Sequence, residues 1–376
     1  MKSGCVACAL TQLFHQTYFI MYNHLFLGLD AHTRTCTLAT VNDKGKVVST
    51  RTFDTSEQAL IHHVKKIPAK TKSLIVEESS LAGWIHRILS PHVDELVVCD
   101  PKHNALISRG NKNDVSDAVD LCRLYRLGEY VEVYHGDDDH RIDFKIVVKE
   151  YMDIRDDCTR LKSKIKAKYR QAGVVDVKGT KVFSKKHREH YLKLLPTPTR
   201  RFVLQRIYNR LDATEAERDV VLAKIKQLGS GYPEIQQFLR IPGVGIVGAS
   251  IFSAFIGTPH RFDTKQQLWK YCQLAIRERS SGGKSLGYKC LDRSGSGPLK
   301  SVSYISWLNA IKTKDPNEVS LFYEASKQRT NDKDNARFNT QRKILVVMWT
   351  IWKNDVTYDP DQLYSSPVIP VNAQTT

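Results

Sequence analysis

At 376 residues and 41% hydrophobic residues the chain can bury two or three cores, and its formal charge of +17 excludes an acidic or weakly charged class of protein. Eight cysteines stand at positions 5, 8, 36, 99, 122, 158, 272 and 290; only Cys5 and Cys8 have ligand-like spacing, and no second pair lies near them. Reduced thiols are therefore expected, rather than a zinc site or a disulfide framework. The stretch from Val6 to Leu29 is broken by Gln12, His15, Gln16, Asn23 and His24, so it reads neither as a signal peptide nor as a membrane span. Residues 1–23 are expected to form an extension, and Met21 is an alternative start of translation.

LFLGLD (25–30), TCTLATV (35–41) and VVSTRTF (47–53) read as three strands, the last two joined over the turn NDKGK. Thr55 to Lys66 reads as a helix, with Ala59, Leu60, His63 and Val64 at helical spacing. SLIVEES (73–79) is a buried strand, Leu81 to Ser90 a helix and ELVVCD (95–100) another strand. This order is similar to the ribonuclease H-like (RuvC-like) α/β layout, which is the expected N-terminal fold for residues 24–140.

Residues 141–232 read as a helical, coiled-coil spacer. Val147, Tyr151, Ile154, Cys158, Leu161 and Ile165 recur as a heptad seam, while Lys162, Lys164, Lys166, Lys168 and Arg170 crowd the other faces. A poorly patterned basic stretch follows, broken by Gly173, Gly179, Pro196 and Pro198, before a second amphipathic helix from about Phe202 to Leu228 that Gly229 closes. The two helices either pair as an antiparallel hairpin or mediate self-association. Between Arg160 and Arg210 there are sixteen Lys/Arg against two Asp/Glu. Without balancing acids, such crowding is unfavourable in a free protein and favourable against a phosphate backbone, where each cation displaces a counterion. The five basic residues are thus candidate nucleic-acid contacts.

Four carboxylates are candidates for chemistry. Asp30 ends the first strand and Glu77 ends the LIVEE strand, where side chains of an open α/β sheet meet ligands. Asp114 and Asp117 in KNDVSDA would share one face of a helix starting there. Glu77 and Glu78 compete for one role, since adjacent strand residues point to opposite faces. Converging carboxylates repel unless a cation lies between them, and hard oxygen ligands suit Mg²⁺ or Mn²⁺.

Residues 233–360 read as a mainly helical C-terminal domain, followed by a tail over 361–376. FLRIPGVGIVGAS (238–250) resembles a helix-hairpin-helix element, in which Gly243 and Gly245 would free backbone N–H groups for a phosphate. RERSSGGKS (277–285) sets Ser281 beside paired glycines with Arg277, Arg279 and Lys284 nearby. Spacing alone fits an ordinary turn as well as a phosphate-binding loop.

In order along the chain, Gly28-Leu29-Asp30, Val76-Glu77-Glu78-Ser79, Lys112-Asn113-Asp114-Val115-Ser116-Asp117-Ala118, Ile241-Pro242-Gly243-Val244-Gly245 and Ser281-Gly282 resemble the motifs of one family. It comprises bacterial insertion-sequence transposases of the DEDD/serine type, the insertion-sequence family numbered one hundred and ten, related to the Piv DNA invertase. Gln341-Arg342-Lys343 leading to Tyr358-Asp359-Pro360 is similar to the family's closing helix. The family's Gly-Leu-x-Pro ahead of the serine reads Gln273-Leu274-Ala275-Ile276, a serine (Ser80) replaces a common glycine, and Ser280 precedes Ser281. The resemblance selects Glu77 over Glu78. It implies catalysis by Asp30, Glu77, Asp114, Asp117 and Ser281, with the four carboxylates holding Mg²⁺ or Mn²⁺ and the serine forming a covalent link to DNA. It further implies donor and target DNA as substrates, a noncoding guide (bridge) RNA as partner, a homo-oligomer (dimer or tetramer) in which serine and carboxylates meet across subunits, no membrane, and a nucleoid-associated place in the bacterial cytoplasm. The alternative is a RuvC-like, metal-dependent junction nuclease that hydrolyses DNA without a covalent intermediate; a non-catalytic nucleic-acid-binding protein is a third reading.

Overall fold

The computed structural model describes residues 21–101, 113–133, 139–281 and 284–363, and the chain divides into two units, Met1–Asp137 and Asp138–Thr376. In the first unit β1 (Tyr22–Ala31), β2 (Thr35–Asn42), β3 (Val47–Asp54), β4 (Ala69–Glu77) and β5 (Glu95–Cys99) form one sheet in the order β3-β2-β1-β4-β5. β2 and β3 are antiparallel to their neighbours, whereas β4 runs parallel to β1 and β5 parallel to β4. β1 starts earlier than the apolar pattern indicates, because Tyr22 already pairs with Ala69. Polar residues extend a strand when a neighbour supplies the hydrogen bonds.

Period-two alternation gives the sheet two apolar faces. Leu25, Leu27, Leu29, Leu74, Val76 and Val98 pack on one side with Leu60 and Val64 of α1 (Glu57–Lys65) and Ile85 and Leu89 of α2 (Ala82–Leu89). Ser56 starts α1 by accepting the Ala59 N–H. On the other side Ile75 and Val97 meet Leu121, Leu124 and Tyr125 of α3 (Asp114–Leu127). Asn113 and Ser116 close a capping box at the start of α3, and Gly128 ends it at φ 68°.

The second unit opens with two long helices, α4 (Asp139–Gln171) and α6 (Pro198–Gly229), with the short α5 (Lys185–Lys193) between them. They pair antiparallel. Cys158, Ile165 and Tyr169 pack with Leu204, Ile207, Tyr208 and Leu211 at one end, and Phe144, Val148 and Tyr151 share a core with Ile225 at the other. The seam is close to the heptad of the sequence, with Val148 and Tyr169 taking buried places beside Tyr151, Ile154, Cys158 and Ile165. Pro198 does not break a helix but begins one, at a position where its missing N–H costs nothing. Gly229 does end α6, yet it lacks a positive φ; it is buried, and an added Cβ would lie 3.4 Å from Ile235.

The basic stretch between these helices is anchored. Arg188, nearly buried, donates twice to the Asp212 carboxylate, at 2.7 Å each, and lies 4.3 Å over the Tyr208 ring. Tyr208 donates to the Val182 carbonyl at 2.9 Å. α7 (Pro233–Phe238), α8 (Ile246–Ile256), α9 (Lys265–Tyr271), the hairpin β6 (Ile276–Ser281) and β7 (Lys284–Leu291), α10 (Gly297–Ile311), α11 (Glu318–Thr330) and α12 (Lys333–Asn354) complete the unit. Phe238, Phe252, Leu268, Leu299, Leu345 and Met348 fill its core. Cys36, Cys99, Cys122, Cys158, Cys272 and Cys290 are free thiols; Cys5 and Cys8 lie outside the described residues. Among the described residues no helix is long and apolar enough to cross a membrane.

Removing Asp212 strands a buried guanidinium. Asp212→Ala should cost about 3 kcal/mol, the lower end of the range for a broken buried pair, because the carboxylate is 24% exposed. The Arg188 hydrogen bond holds the Asp212 carboxyl below its ordinary value. The stabilisation is thus present above that ordinary value and is lost as pH falls through the lowered one. Melting curves of wild type and Asp212→Ala should differ at neutral pH and converge in strong acid; equal stability at neutral pH would refute the assignment.

Candidate active site

Asp30 and Glu77 are brought together by strand register. Leu29 pairs with Val76 across the parallel strands, so Asp30, one residue from the end of β1, and Glu77, the last of β4, follow them side by side. Since Leu29 and Val76 point into the α1–α2 core, Asp30 and Glu77 point to the opposite face, where α3 lies, and Glu78 does not. The Glu78 N–H instead donates to Cys99 on β5.

Gly28 admits the helix to that face. A Cβ there would fall 2.1 Å from the Ala118 carbonyl oxygen and 2.9 Å from the Cys122 nitrogen, both backbone atoms of α3. Only glycine lets β1 and α3 approach so closely. The Cys122 thiol, buried under this contact and hydrogen-bonded to the Ala39 carbonyl, is pushed up to about 12 by burial. With α3 fixed in this way, its first turn presents Asp114 and Asp117 beside Asp30. Carboxylates suit that turn, where the helix N–H groups point outward.

Burial raises the Asp30 carboxyl above its ordinary value; His32 pulls it back, and Asp114, Asp117 and Glu77 each push it up again. The other three predicted carboxylates therefore all act on Asp30. His32, two residues beyond Asp30, joins them: its Nε2 lies 3.2 Å from Asp30 Oδ2 and 3.9 Å from Asp114 Oδ1. Its backbone is held in the β1–β2 connection, donating to the Thr35 carbonyl and accepting from the Thr55 hydroxyl at 2.6 Å. No motif in the sequence marks His32. Its only sequence signal is proximity to Asp30 in a tight turn.

Asp30, His32 and Asp114 can each offer a ligand atom, all within 4.8 Å of one another. Asp30 Oδ2 is buried and, although the His32 imidazole lies 3.2 Å away, makes no hydrogen bond among the described residues. A buried carboxylate oxygen without a donor, surrounded by further carboxylates, is what a divalent cation would satisfy. The donor set fits such an ion.

Elsewhere the predicted residues are dispersed. Lys162 is tied to Glu215 at 2.6 Å, Lys166 lies 5.3 Å over the Phe183 ring and Lys168 donates to Gln171, whereas Lys164 and Arg170 are exposed. Gly243, at φ 85°, is pressed against α10, where a Cβ would meet the Ser306 carbonyl oxygen at 2.0 Å. Gly245 caps α8 in open space. Gly243 thus serves close packing against α10, whereas the space beside Gly245 is open. Ser281 ends β6, its backbone paired with Lys284, so the motif read as a loop is largely a two-stranded hairpin. Arg277 is exposed on β6; the side chains of Arg279, Ser281 and Lys284 and the residues Gly282 and Gly283 lie outside the described ones.

An acidic, cation-suited crevice in one unit and a strongly basic helical pair in the other define an enzyme class that acts on nucleic acid. Two family models match the chain in order: a DEDD-type transposase model over residues 27–188 and the transposase IS116/IS110/IS902 family over residues 235–324. The chain is 24% identical over 268 residues to the transposase for insertion sequence element IS1111A of Coxiella burnetii, covering 69% of this chain and 71% of that protein. It is also 24% identical over 163 residues to an insertion element IS110 uncharacterized 43.6 kDa protein of Streptomyces coelicolor, covering 43% and 40%. The chain belongs to the IS110 family of insertion-sequence transposases, enzymes that cleave DNA and transfer strands.

Binding of a divalent ion to the folded state should raise the melting temperature with ion concentration. Asp30→Asn keeps the side-chain shape while removing its charge. It should therefore raise the metal-free melting temperature, since repulsion with Asp114, Asp117 and Glu77 is relieved, and should abolish the rise with Mg²⁺ or Mn²⁺. An unaltered response to the ions in Asp30→Asn would exclude this crevice as the binding site.

Proposed function

We propose that this transposase cuts and rejoins DNA through a serine–DNA linkage, with Ser281 as the nucleophile and Asp30, Glu77, Asp114 and Asp117 as the holders of Mg²⁺ or Mn²⁺. The observation that carries the reading is the crowding of the other three carboxylates on a half-buried Asp30 whose Oδ2 lacks a hydrogen bond. All four fall within the DEDD-model match and Ser281 within the second.

When bound, the cation supplies positive charge to the attacked phosphate and lowers the cost of forming an oxyanion. The Ser281 Oγ forms a bond to phosphorus as the bond to the 3′-oxygen breaks. The serine proton passes to solvent, and the departing 3′-oxygen takes up a proton to become a hydroxyl. In the return step a 3′-hydroxyl attacks the phosphoserine and releases Oγ. Arg277, Arg279 and Lys284 belong to the same two strands and would serve as phosphate donors.

Several further readings belong to the same proposal. The sheet order and mixed strand directions support a ribonuclease H-like (RuvC-like) catalytic domain over 24–140. The turn at Gly245 before α8 supports a helix-hairpin-helix phosphate contact. The helix pair supports a basic spacer over 141–232 ahead of the serine domain over 233–360. Donor and target DNA, a noncoding guide RNA, a homo-oligomer and a nucleoid-associated location complete it, on the strength of the family resemblance.

Incubation with a DNA substrate and Mg²⁺ should yield a covalent protein–DNA adduct whose nucleotide lies on Ser281. Ser281→Ala should remove the adduct while leaving the ion-dependent rise in melting temperature intact, and Ser280→Ala should be far milder. Cleavage without any adduct would favour the hydrolytic nuclease. For the spacer, Lys164→Gln with Arg170→Gln should reduce the log–log salt slope of DNA binding by about 2. Lys162→Gln alone should change it less, because Glu215 already pairs with that lysine. The opposite order would show that the ion pair opens on DNA.

A further inference from the structure

The foot of the β6–β7 hairpin holds a cleft of about 580 Å³ lined by Lys265, Trp269, Ile276, Phe322, Arg329 and Arg342, among others. That volume is in the range of ligand sites, roughly 300–1,000 Å³. Its make-up is unusual. Lys265 and Arg329 are exposed, Arg342 is half-buried, Lys343 also contributes, and none of the lining residues is acidic. Arg342 is held in place by the Leu274 carbonyl at 2.8 Å and the Asn339 side-chain oxygen at 3.2 Å, both neutral. Burial lowers the pKa of Arg342, and burial together with the Lys265 charge lowers that of Lys343.

Aromatic surface lies among these cations. Lys265 Nζ and Arg342 Cζ are each 5.7 Å from the Trp269 ring centre, and Phe322 lines the same cleft. The indole N–H of Trp269 makes no hydrogen bond among the described residues. Ile276, 60% exposed, adds an apolar edge. Flat rings between cations match a base and its phosphates, and a concave site of this size admits one unstacked nucleotide rather than a duplex.

We infer that this cleft binds a single unstacked nucleotide of a DNA or RNA strand, with Trp269 and Phe322 against the base and Lys265, Arg329 and Arg342 around its phosphates. Ile276 and Ser281 are the two ends of β6, roughly 17 Å apart at the rise of an extended strand. The cleft therefore grips the strand a few nucleotides from the serine. The inference rests on the reading of Ser281 as the DNA-attacking residue only for this last consequence; binding itself requires only that the protein engages single strands.

The test uses the full chain and single-stranded oligonucleotides of about ten nucleotides, in DNA and RNA arms of the same sequence. Binding should quench tryptophan emission. Trp269→Phe keeps an aromatic ring and loses no hydrogen bond, so it should bind within about twofold of wild type while most of the quench disappears. Lys265→Glu with Arg329→Glu should weaken binding about tenfold, whereas Lys312→Glu with Lys314→Glu, an equal charge change outside the lining, should weaken it no more than about threefold. The tighter arm identifies the strand that is gripped. A quench that persists in Trp269→Phe, or equal losses in the two charge-reversed pairs, would overturn the cleft as the site while leaving the serine reading untouched. Failure of the wild-type chain to bind either strand would overturn the inference at its root, and adduct formation on Ser281 would then show separately whether the serine reading survives.

Discussion

The acidic site depends on how closely α3 can approach β1. Backbone meets backbone at Gly28, where there is no space for even a methyl group beside the Ala118 carbonyl. That contact fixes the height of α3 over the sheet, and the capping box of Asn113 and Ser116 fixes where the helix begins. Together they decide where Asp114 and Asp117 stand relative to Asp30. The register of β1 on β4 then supplies Glu77 on the same face. None of these constraints involves the carboxylates themselves, which is why Asp30 can be held against the repulsion of the other three: apolar packing of Leu121, Leu124 and Tyr125 against the sheet offsets it.

The second unit meets a similar problem with positive charge. Its tip concentrates lysine and arginine, yet the structure uses a part of that charge internally. Arg188 is buried against Asp212 and Tyr208, and Lys162 is paired with Glu215 on the neighbouring helix. The exposed remainder, Lys164 and Arg170 among it, is presented by a rigid helix pair whose seam runs from Phe144 to Tyr169. A rigid support keeps the spacing of cations fixed, so phosphate contacts would be made with little ordering cost.

Much of this was legible in the sequence because period and position carry physical meaning. Leu25, Leu27 and Leu29 alternate, and so they specify a strand and leave Asp30 on the far face; the same alternation separates Glu77 from Glu78. Asp114 and Asp117 share a helix face by spacing alone. What stayed hidden rests on long-range partners. Nothing in KKHRE marks Arg188 as the buried cation, since its partner Asp212 lies on another helix. Gly243 reads as a phosphate-binding glycine, and only the position of α10 shows that close packing also requires a glycine there. His32 had no pattern to reveal it, because a single histidine in a turn is common and gains meaning only from Asp30 and Asp114 beside it. The hairpin around Ser281 was hidden by the charges and glycines of its sequence, which read as a turn although Ser280 and Ser281 pair with Ser285 and Lys284.

The central claim is that the crevice at Asp30 is a divalent-cation site built by the α3–β1 contact. Anomalous diffraction from crystals of the full chain grown with Mn²⁺ tests it most directly. The account predicts a manganese peak bounded by the carboxylates of Asp30 and Asp114, with Glu77 or Asp117 completing the oxygen ligands. A peak at any other cluster with this crevice empty, or no peak at saturating Mn²⁺, would contradict it.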